Sequence, residues 1–367
     1  MSDTGASNTI AEPVLTPEEL FQLLVLCAKA KHPVLITGAP GIGKTSIVKQ
    51  VQEYLMCDLQ ISHAIVDSPL DYKGMPYAWI DSAQLSQSKS KECNVIPRAA
   101  FIPYGDLETL INAKTLLIHF ADDLGQASDM VKAAYMQMQL GRKINGQKIS
   151  DEVVFFAATN RKQDAAGVTR FLEPLKDRYH TIVELTTDPK QWIKWALKND
   201  IAHEVFTWIR MSPQFLSDFK PASDFSRTPT PRGIHQLSDM YKLDLPKEMR
   251  MRVFGGIIGP SAAVNFITHL EYYAKLQDPD FVLANPKKAR IETEPALIYT
   301  LCGSLAAKAS KKTIGAIVEY ADRLEKAGFM EFSVMLVKDA SMKDANKLMA
   351  TVEFIDWAGR HNEQISL

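Results

Sequence analysis

A chain of 367 residues is long for one compact domain, and 46% hydrophobic against 23% charged residues is the balance of a folded protein of two or three domains. The 42 basic and 43 acidic residues leave a net charge of -1, without the basic excess that proteins held on bulk nucleic acid use to displace condensed counterions. Cys27, Cys57, Cys93 and Cys302 lie far apart with no CxxC pair, so neither a disulfide framework nor a zinc site is indicated.

Residues 1–15 are small, polar and proline-marked and are expected to form a flexible arm. They lack the basic and apolar regions of a secretory signal, and no apolar run is long enough to cross a bilayer, so a cytoplasmic setting is expected. Thr16-Pro17-Glu18-Glu19 supplies an N-cap, a first-turn proline and early acids for a helix running through Leu20, Leu24 and Leu26. Pro33–Thr37 (PVLIT) then suits a buried parallel strand, and Gly43 to Tyr54 a helix.

The alternation continues. Strands are predicted over Ile61–Asp67, Thr115–Ala121, Val153–Thr159 and Thr181–Leu185. Helices are predicted near Asp106–Ala113, Ala127–Leu140 and Thr169–Asp177. Strands alternating with helices imply an α/β fold with a parallel sheet between helical layers. Past residue 187 no strong strand signal remains. Helices are read from Asp188, over Arg232–Tyr241, Ala262–Lys275, Pro295–Ala307 and Thr313–Ala327, with Asp278–Glu294 as a surface loop. The expected organisation is an arm (1–15), an α/β core (16–187), a helical lid (188–245) and a helical C-terminal region (246–367).

Gly38-Ala39-Pro40-Gly41-Ile42-Gly43-Lys44-Thr45 matches G-x-x-x-x-G-K-[ST] and stands between a predicted strand and a predicted helix. Its glycines let backbone N–H groups turn inward around phosphate oxygens at a helix N-terminus, a cradle that runs on to Ser46. Lys44 is placed to reach the β/γ-phosphates of ATP, and the Thr45 hydroxyl to ligate Mg²⁺. Such a site needs an acid on a neighbouring strand. Asp122 and Asp123, at the end of the apolar strand Thr115–Ala121, are assigned to the metal and to orienting the attacking water. His119, inside that strand, reads as a core residue.

In this order the motifs resemble the AAA+ ATPases, in particular their MoxR-like, dynein-related branch as carried by phages and prophages. The likeness covers about residues 30 to 240. It implies a P-loop core with a helical lid, ATP hydrolysis, Mg²⁺, and a homo-oligomeric ring, by family analogy a hexamer, in a bacterial host's cytoplasm. Asp122-Asp123-Leu124-Gly125-Gln126-Ala127 stands where the branch has Asp-Glu followed by Leu-Asn-Arg-Ala, so Asp123 is one methylene shorter than the usual glutamate. Asp71-Tyr72-Lys73-Gly74-Met75-Pro76 is similar to the branch's Asp-x-x-Gly-x-Pro element. Gly141–Ser150 resembles its inserted hairpin, for which Asn145-Gly146 is a preferred type I′ turn. Arg142, Lys143 and Lys148 would be that hairpin's contacts.

The resemblance also gives Asn160 the role of sensor 1 and Arg178 that of an arginine finger acting on a neighbour's site, with Arg170 as a second candidate. Arg232, in Thr230-Pro231-Arg232-Gly233, takes the role of sensor 2. Three functions follow as expectations. The first is a ring that remodels a protein partner, such as one bearing a von Willebrand A-like domain. The second is a nucleic-acid-directed motor or loader, which the near-neutral charge disfavours. The third is a nucleotide-gated scaffold with weak hydrolysis.

Overall fold

A computed structural model of the chain describes residues 13–79, 98–164, 173–221, 225–342 and 348–361. The chain divides into two compact units, Met1–Thr186 and Thr187–Leu367.

The first unit is built on six parallel strands in the order β1-β10-β2-β9-β6-β3. They are β1 (Val14–Leu15), β2 (Val34–Thr37), β3 (Asp58–His63), β6 (Leu117–Asp122), β9 (Val153–Thr159) and β10 (Thr181–Leu185). All seven residues of β9 and all four of β2 are buried, which is why these segments read as unbroken apolar runs. On one face pack α1 (Pro17–Ala30) and α2 (Lys44–Leu55), closing a core of Leu24, Val48, Phe120 and Phe156. On the other lie α3 (Pro69–Lys73), α4 (Gly105–Asn112) and α5 (Asp129–Gly141), over Tyr135, Met138 and Phe155.

Several expectations shift. Val14 and Leu15, placed in the arm, pair in parallel with Glu184 and Leu185, so the sheet begins two residues before the predicted first helix. The strand expected at Ile61–Asp67 lies earlier, at Asp58–His63, where the Ile61 register is kept by pairing with Phe120. An antiparallel ribbon stands outside every sequence expectation. It pairs β4 (Met75–Trp79) with β5 (Arg98–Ile102), and every residue of both strands is exposed. A short helix α6 (Glu173–Lys176) falls within the expected Thr169–Asp177 helix, whose first part is outside the described residues.

The small hairpin β7 (Lys143–Ile144) and β8 (Gln147–Lys148) forms around Asn145 and Gly146, both at positive φ, as a type I′ turn requires. Arg142 departs from its expected role. It closes α5 in the left-handed region, and its guanidinium donates to the Val153 carbonyl at 2.8 Å and to the Ser150 carbonyl while lying 5.3 Å from the Phe155 ring centre. It binds the hairpin to its own domain.

Among the described residues the second unit is helical. Its first elements are α7 (Pro189–Ala196), α8 (His203–Met211), α9 (Pro231–Tyr241), α10 (Lys247–Ile258) and α11 (Pro260–Tyr273). They share a core of Trp208, Phe206, Phe254 and Phe266. Then come α12 (Pro279–Ala284), α13 (Pro295–Ala307), α14 (Ile314–Lys326), α15 (Met330–Met342) and α16 (Val352–Arg360), around Leu305, Tyr320, Leu336 and Trp357. The expected loop at Asp278–Glu294 contains α12, capped by the Asp278 carboxylate, with Val282 fully buried. Its prolines mark a helix start here, not a break.

Candidate active site

The C-terminal ends of β2, β6 and β9 converge because their register is nearly level: Thr37 pairs with Thr159, and Ala121 with Ala157. Ligands of parallel sheets collect at this edge, since each strand there hands over to a loop or a helix N-terminus.

After β2 the chain makes its glycine turn. Gly38, Gly41 and Gly43 have φ of 152°, 73° and 112°. At Gly38 an added Cβ would also stand 3.1 Å from the Leu185 carbonyl oxygen, so both backbone angle and space require glycine. α2 starts at Lys44 with Gly43 as its cap and no side-chain acceptor for the first N–H groups. Those donors point into the loop, the arrangement that favours an anion.

Lys44 is 7% exposed, and its ammonium donates to the Gly38 carbonyl at 2.8 Å, the Ala39 carbonyl at 3.1 Å and Asn160 Oδ1 at 2.8 Å. Thr45 Oγ1 donates to Asp122 Oδ2 at 2.7 Å. Asp122 Oδ1 accepts from the Asp123 backbone N–H at 3.1 Å, and Asn160 Nδ2 donates to Asp123 Oδ1 at 3.3 Å. Asp123 itself sits at φ 55°, ψ 31°, a left-handed conformation that aspartate tolerates better than most residues. Five residues named from sequence, Lys44, Thr45, Asp122, Asp123 and Asn160, thus form one hydrogen-bonded constellation.

Further participants had no sequence motif. Arg161, next to Asn160, donates to Asp164 at 2.8 Å and to Glu184 of β10 at 2.9 Å, and Asp164 is 4% exposed. This ion network ties the loop after β9, next to Asn160, to the end of β10 on the far side of β2.

The remaining candidates from the sequence are Arg178, Arg170 and Arg232. Arg178 follows α6; its Nη1 donates to the Pro174 carbonyl, and its own carbonyl accepts from Gln139 at 3.4 Å. Arg170 lies outside the described residues. Arg232 is exposed in the first turn of α9 in the second unit, behind the Thr230 cap that accepts the Gly233 N–H at 3.1 Å.

The donor set fits Mg²⁺ and a triphosphate. It offers a hydroxyl and a carboxylate as hard oxygen ligands beside a lysine and helix N-terminal N–H groups for phosphate oxygens. A strand, glycine turn and helix with an acid on the adjacent strand end define a P-loop nucleotide-binding domain of α/β type. Residues 34–186 match the family model described as "ATPase family associated with various cellular activities (AAA)", so this part of the chain is an AAA domain.

No curated protein matches the chain. Among solved structures it is similar to a point mutant of Thermotoga maritima RuvB, at 16% identity and TM-score 0.39, covering 85% of this chain and 89% of that one. It is also similar to the Thermotoga maritima RuvB Holliday junction branch migration motor, at 15% identity and TM-score 0.35, covering 85% and 87%. A further structure, a putative ATPase from Cytophaga hutchinsonii, is similar at 12% identity and TM-score 0.35, covering 89% and 81%.

Proposed function

We propose that the chain is a MoxR-like, phage-type AAA+ ATPase that binds Mg·ATP at Gly38–Ser46 and works as a homo-oligomeric, hexameric ring to remodel a protein partner. The observation that carries the ATPase reading is the pair of contacts Lys44–Asn160 and Thr45–Asp122, which join the glycine turn to two other strand ends.

In this reading the loop N–H groups and Lys44 hold the phosphates, while Thr45 and Asp122 hold the metal. Bound Mg²⁺ supplies positive charge against the phosphate oxygens. Asp123 and Asn160, already within hydrogen-bonding distance of each other, orient the attacking water between a carboxylate acceptor and an amide. Arg178 serves the site of a neighbouring subunit, neutralising charge as it develops. Arg232, at the start of a helix in the proposed lid 188–245, senses the nucleotide.

The remodelling of a protein, and not of nucleic acid, is supported by the ribbon β4–β5. It presents Met75, Tyr77, Trp79, Phe101 and Ile102 to solvent, an apolar surface suited to a protein partner such as a von Willebrand A-like domain. A test follows directly. Phosphate release should rise more steeply than protein concentration as the ring assembles, and should respond to the partner captured by an Asp123→Asn variant in ATP. Stimulation by DNA or RNA would replace this reading with the motor reading, and ATP binding without phosphate release would replace it with the scaffold reading.

A further inference from the structure

On the sheet face covered by α3, α4 and α5 a cavity of about 300 Å³ opens. Asp67, Asp71 and Asp106 line it, and among the described residues no lysine or arginine does. Part of this charge is held in place. Asp67 accepts from the hydroxyls of Ser62 and Tyr72, the latter at 2.6 Å, and Asp71 Oδ1 accepts from Tyr104 at 2.8 Å. These neutral donors aim the carboxylates without cancelling them.

The lining also includes His119, which is 1% exposed and has no hydrogen-bond partner on either ring nitrogen. Its ring is wedged between Tyr135 and Phe155, 5.8 and 5.6 Å away by ring centres. A buried imidazole without partners carries a desolvation penalty that neither ring contact offsets. Burial lowers its pKa to about 4, so it is neutral, with one nitrogen to donate and one to accept. It is a polar group set facing a space that something polar should fill.

We propose that this cavity binds an alkylguanidinium group, carried either by a free small molecule or by the side chain of a protein arginine. The negative lining repels phosphate and selects a cation. A bare metal ion is the poorer occupant, because among the described residues no three His, Cys, Asp or Glu side chains come close enough to hold one. A planar cation with five N–H donors matches carboxylates spread around a wall, whereas a spherical ion needs them gathered at one point. The phenol of Tyr104 adds an aromatic wall. The volume is at the small end for ligand pockets and suits a side-chain-sized guest.

The location gives the ligand leverage. α3 ends at Lys73, two residues before β4, and Tyr104 stands two residues after β5. Asp71 and Asp106 therefore flank the two roots of the exposed ribbon, and a guest bridging them sets how the ribbon stands. This inference goes beyond the nucleotide site and does not rest on it.

The test is calorimetry on the full chain with agmatine and with N-acetyl-arginine amide, alongside Mn²⁺ alone. One-to-one binding of a guanidinium probe is expected, weakened about tenfold in Asp71→Asn and Asp106→Asn variants, equivalent to about 1.4 kcal/mol. Agmatine binding alone assigns the site to a free small molecule; binding of the amide assigns it to an arginine side chain. Nitrogen-15 spectra of histidine-labelled protein should show the His119 resonances shifting with the probe, and unchanged thermal melts of both variants establish that they fold. No saturable binding of either probe at millimolar concentration overturns the proposal. So does affinity unchanged in both variants, or Mn²⁺ binding that those variants abolish.

Discussion

The Lys44 ammonium and the Asn160 side-chain oxygen are 2.8 Å apart, although 116 positions separate them in sequence. The lysine holds the glycine turn through two carbonyls and the end of β9 through this amide, so one buried cation ties the turn to the residue proposed to orient the water. Lys44→Ala should abolish saturable nucleotide binding. Asn160→Ala should leave binding of a fluorescent nucleotide nearly intact and lower turnover about 10²-fold, the usual effect of deleting one positioned donor. Equal loss of binding and turnover in Asn160→Ala would show that the residue only supports the loop.

Asp123 combines a short carboxylate with a left-handed backbone. Asp123→Gly relieves the backbone and removes the acid, so it should be at least as stable as the parent in urea yet hydrolyse about 10²-fold more slowly. Asp123→Glu, which restores the usual reach, should match or exceed the parent turnover. A glutamate variant that is inactive would place the attacking water elsewhere.

Arg178 is assigned to a site other than its own, and mixing separates this from a local role. Arg178→Ala and Asp123→Asn subunits, each inactive alone, should regain phosphate release when combined, because some junctions then pair an intact finger with an intact acid. No recovery in mixed assemblies that are shown to have exchanged subunits would defeat the assignment.

In the second unit α8 and α13 cross where Gly303 meets Thr207: an added Cβ would stand 2.3 Å from Thr207 Cγ2. Thr207 cannot swing aside freely, since its hydroxyl donates to the His203 carbonyl at 2.7 Å. Gly303→Ala should therefore cost about 1–3 kcal/mol by overpacking, read from urea unfolding. Adding Thr207→Ser, which keeps the hydroxyl and deletes the methyl, should recover most of it.

His269, beside Thr207 at 3.1 Å, has its pKa lowered to about 4 by burial. Its unfolded pKa is near 6.5, so the unfolded chain gains a proton first as pH falls. Its contribution to stability is thus whole above about pH 6.5 and is lost progressively down to about pH 4, amounting to a few kcal/mol. His269→Gln should flatten the urea midpoint against pH over that window.

The residues that meet in the hydrogen-bonded constellation at the candidate site could be picked out in advance because their signals are local. Three glycines at fixed spacing, a lysine, and acids ending an apolar run state their chemistry within a few positions. The Arg161–Asp164–Glu184 clamp could not be read, because Glu184 is remote in sequence and an Arg-x-x-Asp spacing alone is uninformative. Arg142 misled for a related reason. Just ahead of Lys143 at the foot of a hairpin it looks like a contact residue, and only the position of the Phe155 ring and two carbonyls shows that it turns inward. β4 and β5 bury nothing, so they carry none of the alternation that betrays a half-buried strand. Conversely, α12 was hidden by prolines and charges that usually signal a loop.

That ribbon has a mechanical consequence. A lone pair of strands in water is marginal, and this one has no apolar face of its own tucked beneath it. Its external ties include Gln147 of β8, donating to the Phe101 carbonyl at 3.2 Å, and Asn145, donating to the Lys73 carbonyl at 2.7 Å just ahead of β4. The two hairpins are in effect geared together by amide side chains. A tilt imposed on one is transmitted to the other, and the apolar blade cannot change its attitude without the small turn at Asn145-Gly146 registering it.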